Sequence, residues 1–155
     1  MKQTPQMDRI QAAMRPGAIT RDGFLGPDSR KLVDILDTDD ATVRRLGLTH
    51  ALIAQRMRQL TAAGEKGLGL PADVPPHFEV TVDSVRGKLP CPFGHQGIYP
   101  KTNIAVRNAV TGRQVAFTDL NIHMIEEHGF YEGIGAAFRC DPAELADVLE
   151  IRPQP

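Results

Sequence analysis

Apolar residues recur at helical spacing in the first sixty positions and at strand spacing after about residue 77, so the chain changes character halfway. Asp8–Met14 reads as a short helix stopped by Arg15-Pro16-Gly17. Asp28 is placed to cap a helix over Ser29–Leu36, whose apolar content is Leu32, Val33, Ile35 and Leu36. The acidic run Asp37–Asp40 ends that helix and starts another short one over Ala41–Leu46. After a turn at Gly47, Thr49 is a natural N-cap for a longer helix from His50 to Ala63. Ile53, Met57 and Leu60 share one face of it, and Gly64 supplies its C-terminal stop.

The interval 64–76 holds three glycines and three prolines, which suits a linker or an ordered irregular loop. Beyond it the period becomes two. His77–Val85 alternates with Phe78, Val80 and Val82 on one face, and Thr102–Val110 alternates through Ile104 and Val106. Thr111-Gly112 can turn the chain into a strand over Arg113–Phe117. Thr118 then caps a helix over Asp119–His128 that ends at Gly129. A short strand is expected around Ala136–Cys140, and Asp141-Pro142-Ala143-Glu144 is a strong start for a last helix reaching about Ile151. The expected fold is α+β: a helical N-terminal half (1–63), a Gly/Pro-rich linker (64–76), then an α+β domain (77–155) with a small antiparallel sheet and two helices.

Composition narrows the class. The 155 residues are 41% hydrophobic and 24% charged, ordinary for a globular protein, but aromatics are only 5% and Trp is absent. The net charge of −1 argues against whole-molecule attraction to nucleic acid or an anionic membrane. It conceals an asymmetry: residues 1–70 carry eleven Lys/Arg against eight Asp/Glu, and residues 71–155 seven against eleven. Ala41–Gly64 contains four arginines and no acid. The polar start lacks an apolar signal core, and no run approaches the ~20 apolar residues of a membrane span, so the cytoplasm is the expected location. In that compartment Cys91 and Cys140 are free thiols or metal ligands before they are a disulfide.

The candidate chemistry lies in the second half. Cys91-Pro92-Phe93-Gly94-His95 places a thiol and an imidazole about one tight turn, and His123 and His128 follow on a predicted helix. Thiolate with imidazole is the donor mix zinc prefers. Five helical positions rotate by about 500°, leaving the two helix histidines roughly 140° apart, so sharing one ion calls for a loosened last turn. Cys91, His95, His123 and His128 form the expected ligand set, with Cys140 as a substitute. If only three of them bind, a water completes the shell, and Glu126 or Glu127 could serve as general base in a cleft that Asp119 also lines. The interval between His123 and His128 is one residue longer than in the His-Glu-x-x-His proteases, so that activity does not carry over.

Two resemblances add to this reading. The Cys-Pro-x-Gly-His turn resembles half of a zinc knuckle, with His four positions after Cys where many knuckles have a second Cys. That likeness implies backbone N–H groups aimed at the thiolate. Gly47-Leu48-Thr49-His50-Ala51-Leu52-Ile53-Ala54-Gln55-Arg56-Met57, within Val43–Leu60, resembles the turn and recognition helix of helix-turn-helix and winged-helix DNA-binding proteins. It implies DNA contacts by His50, Gln55, Arg56 and Arg58, with Arg44 and Arg45 near phosphates. Taken together, the sequence points to an intracellular zinc protein whose metal is structural and whose helical half serves interaction with DNA or a protein partner, rather than to an enzyme. A zinc-dependent hydrolase or lyase with an open three-ligand site is the first alternative, and a metal-free partner-binding module the second.

Overall fold

The computed structural model describes residues 2–154 and shows the expected α+β fold. Its elements are α1 (Pro5–Ala13), α2 (Leu32–Arg45), α3 (His50–Gly64), a 3-10 turn (Glu65–Gly67), β1 (Ala72–Val74), β2 (Phe78–Pro90), β3 (Ile98–Asn108), β4 (Gln114–Thr118), α4 (Asp119–His128) and α5 (Pro142–Val148). The four strands form one antiparallel sheet in the order β1-β2-β3-β4. No helix among the described residues is long and apolar enough to cross a membrane.

Local chemistry explains where the elements begin and end. Thr49 caps α3 by accepting from Leu52 N–H, as its position predicts. Thr118 and Asn121 form a reciprocal capping box on α4, and Asp141 accepts from Glu144 N–H at the start of α5. At α2 the expectation needs correction. Asp28 does not cap it, because its carboxylate grips Arg30 and accepts the Ile134 N–H. The free N–H groups of Leu32 and Val33 are instead satisfied from a distance, by the side-chain oxygens of Gln11 and Gln3.

The acidic run does not split the helix either: α2 is continuous from Leu32 to Arg45. Asp39 is buried against Arg139 and Asp40 pairs with Arg44 and meets His50, so these two acids each have an arginine partner. Gly64 is not a left-handed stop. It is helical, and a Cβ there would lie 2.3 Å from Val80 Cγ1, so it lets α3 approach β2 closely. The interval 64–76, read as a linker, instead carries the 3-10 turn and β1, which pairs with β2 from Ala72↔Val80 to Val74↔Phe78. The strand expected around Ala136–Cys140 is absent. That segment is made of turns, with Ala136 N–H bonded to Gly133 O and Cys140 N–H to Tyr131 O.

Two apolar clusters hold these parts together. One joins the buried stripe of α3 (Ile53, Met57, Leu60) to Val80, Ile104, Val106 and Phe117 of the sheet and to α5. The other gathers Met14, Phe24, Leu25, Leu32 and Ile35 around Cys91, Leu120, Met124 and Phe130. The strands β2 and β3 run longer than their alternation predicts. Beyond the reach of β1 and β4 they continue, past a bulge between Val85 and Lys88, as a two-stranded ribbon paired to Pro90↔Ile98. The tip of that ribbon is the Cys91–Gly97 loop, which folds onto α4.

Candidate metal centre

The loop at the ribbon tip supplies Cys91 and His95, and one helix supplies His123 and His128. Gly94, at φ +77°, lets the chain reverse after Phe93, and its N–H bonds Cys91 O. Donor atoms of Cys91, His123 and His128 all lie within 4.8 Å of one another. Cys91 Sγ is 3.6 Å from His128 Nε2. His95 joins the group from outside: its Nδ1 is 3.3 Å from His123 Nε2, and its ring centroid is 5.7 Å from that of His128. Three of the four residues singled out by spacing therefore group together, and His95, exposed, touches that group through His123 and His128.

The helix is not loosened to bring this about. It stays α-helical to His128 and closes with Gly129 N–H on Ile125 O and Phe130 N–H on Met124 O, a left-handed glycine cap. The two imidazoles converge through side-chain reach alone, with centroids 5.4 Å apart and planes at 81°. Cys140 does not lie in this donor group. It belongs to the other apolar cluster, where its thiol faces the carbonyls of Phe138 and Ala116.

The electrostatics suit a cation. Burial, helped by the neighbouring histidines, pushes His128 down to about 4 and lowers His123 as well. His128 is consequently neutral near pH 7, as a metal ligand must be. Burial pushes the Cys91 thiol up, against the backbone N–H groups of Phe93 and His95, which point at the sulfur and favour its thiolate. A bound divalent ion would override the burial effect and hold the thiolate.

Aromatic rings frame the histidines. Phe93 stacks on His128 with centroids 4.1 Å apart, and Tyr99 stacks on His123 at 4.3 Å with its hydroxyl 3.0 Å from Nδ1. In a chain with six Phe and two Tyr, two rings within a few residues of Cys91 and His95 were the available signal.

Beside His123 opens a cleft of about 440 Å³ bordered by Tyr99, Asp119 and Arg58. Glu126, a candidate general base, is instead held by Arg58 in a two-point ion pair of 2.5 and 2.8 Å, which lowers its carboxyl. Glu127 is exposed.

The residues implied as DNA contacts lie mostly against protein groups. Besides Arg58, Arg56 donates to Leu149 O and sits over the Phe78 ring, while Arg44 pairs with Asp40. His50 lies between Asp40 and Tyr131, Arg45 donates to Thr42 Oγ1, and Gln55 is exposed. Scans against protein-family models, curated proteins and solved structures each return no match to this chain. The functional reading therefore rests on the site.

Proposed function

We propose that the protein binds one zinc ion through Cys91, His123 and His128, with His95 closing the shell, and that the ion is structural. The observation that carries this reading is the convergence of the three donors within 4.8 Å, from a loop and a helix far apart in sequence. One thiolate with neutral imidazoles is a borderline-soft set that selects zinc over magnesium or calcium. The ion would pin the tip of the β2–β3 ribbon to α4. So held, the ribbon can present its exposed side chains, such as Ile98 and Val85, to a partner.

A second reading is favoured by the cleft beside His123: three protein ligands, with a water facing Asp119 and Tyr99. Such a site would belong to a hydrolase or lyase. Coordination number separates the two. X-ray absorption on the zinc-loaded protein, or the visible spectrum after cobalt substitution, should report a four-coordinate shell of one sulfur and three nitrogens. His95→Ala should replace one nitrogen by oxygen. A shell unchanged by that substitution, with a water already present, would retire the structural role in favour of the open site.

A further inference from the structure

The glycine-dense loop 129–135 carries a second feature, separate from the metal centre. Glu132 sits in it at φ +67°, a left-handed conformation that is strained for an L-residue. The loop is held in place on several sides. Gly133 N–H bonds Phe24 O, and a Cβ on Gly133 would lie 2.2 Å from Leu25 O. Arg139, itself paired with Asp39, donates to Glu132 O. The consequence is a carboxyl driven inward, 5% exposed.

That carboxyl borders a cavity of about 310 Å³ walled by Phe24, Leu120 and Phe138, with the exposed Arg21 and Lys101, and one exposed acid, Asp22, also lining it. Its Oε2 accepts from Asn121 Nδ2 at 2.5 Å. Oε1 meets no protein donor, and no fully buried side-chain oxygen is left unpaired among the described residues, so Oε1 faces the cavity. Burial lifts the carboxyl to about 7, against the pull of Asn121 and Arg139. It can thus donate or accept a hydrogen bond near neutral pH. A pocket of this size that joins apolar walls to a few convergent polar groups is the usual form of a small-molecule site.

We propose that this cavity binds a one-ring aromatic carboxylate bearing a polar substituent opposite the acid. The carboxylate lies between Arg21 and Lys101 at the mouth, the ring contacts Phe24, Leu120 and Phe138, and the distal hydroxyl or carbonyl meets Glu132 Oε1. The proposal is independent of the zinc reading.

Titrating the full-length protein as purified with 4-hydroxybenzoate, benzoate and 4-hydroxybenzylamine, followed by NMR shifts of Leu120 and Phe24, tests it. The hydroxyacid should bind at least tenfold more tightly than benzoate, and the amine should bind more weakly than either. Lys101→Glu, a surface change that leaves the core untouched, should weaken the hydroxyacid at least fivefold. Glu132→Ala should bring its affinity down to that of benzoate. No shift of these residues at millimolar ligand, a preference for the amine, or affinity indifferent to Lys101→Glu would each overturn the assignment. Should Glu132→Ala fail to fold, the ligand series and the Lys101 variant decide the matter without it.

Discussion

Histidine and cysteine side chains in this protein differ mainly in what they are packed against. His123 and His128 are stripped of water and lie beside other imidazoles, so both are held neutral, whereas His50 and His77 meet the carboxylates of Asp40 and Glu150. The first pair suits metal donation. The two thiols divide in the same way: Cys91 faces an imidazole, and Cys140 faces carbonyls in a dry core. Glu132 has a measurable consequence of its own. Its carboxyl ionises near 7 when folded and near 4.5 when exposed, so the unfolded chain releases the proton first. Stability from this residue is complete below about pH 4.5 and is lost as pH rises through about 7, a change on the order of 3 kcal/mol at most. Glu132→Gln keeps an acceptor for Asn121 and never ionises. Denaturant unfolding should show the variant gaining on the parent between pH 5 and pH 8; a constant difference across that range would mean that Glu132 is not held protonated.

Elements are positioned by a few side chains that reach between them. α2 takes its N-terminal hydrogen bonds from Gln3 and Gln11, and it is tied to the loop before α5 by Asp39, whose carboxylate grips Arg139 at 2.5 and 2.9 Å. Both of these charged groups are largely buried. Asp39→Ala would strand the guanidinium and is expected to cost about 3 kcal/mol in denaturant unfolding, well above the ~1 kcal/mol of an exposed pair such as Arg44–Asp40. A loss below 1 kcal/mol would show that the loop rearranges freely. The same residue marks the limit of sequence reading. Thr49, Thr118 and Asp141 announce their helices because a cap acts within three residues of itself. Asp39 pairs with Arg139 a hundred residues away, and Asp28, besides gripping Arg30, accepts from the distant Ile134 N–H, so local spacing read them as a helix stop and a cap. The merging of two predicted helices into α2 goes with the long-range Asp39–Arg139 pair, whereas the strand expected near Cys140 gives way to local turns closed by Gly133 O and Tyr131 O.

At the scale of the whole molecule, two apolar clusters meet across α4, and the β2–β3 ribbon reaches past the sheet to bring its loop onto that helix. The Cys91–His123–His128 cluster was legible because a tight turn and a helix each leave a spacing signature, even though its meeting depends on the length of the ribbon. The Glu132 cavity was not legible, since its walls come from segments around residues 24, 101, 120 and 138 with no shared pattern. What the ribbon and helix accomplish together is most directly read from metal content. Elemental analysis of the purified protein should find one zinc per chain, retained in Cys140→Ser and lost in Cys91→Ser. A protein without stoichiometric zinc after growth in zinc-replete medium, or zinc that survives Cys91→Ser but leaves with Cys140→Ser, would contradict the clamp between ribbon and helix.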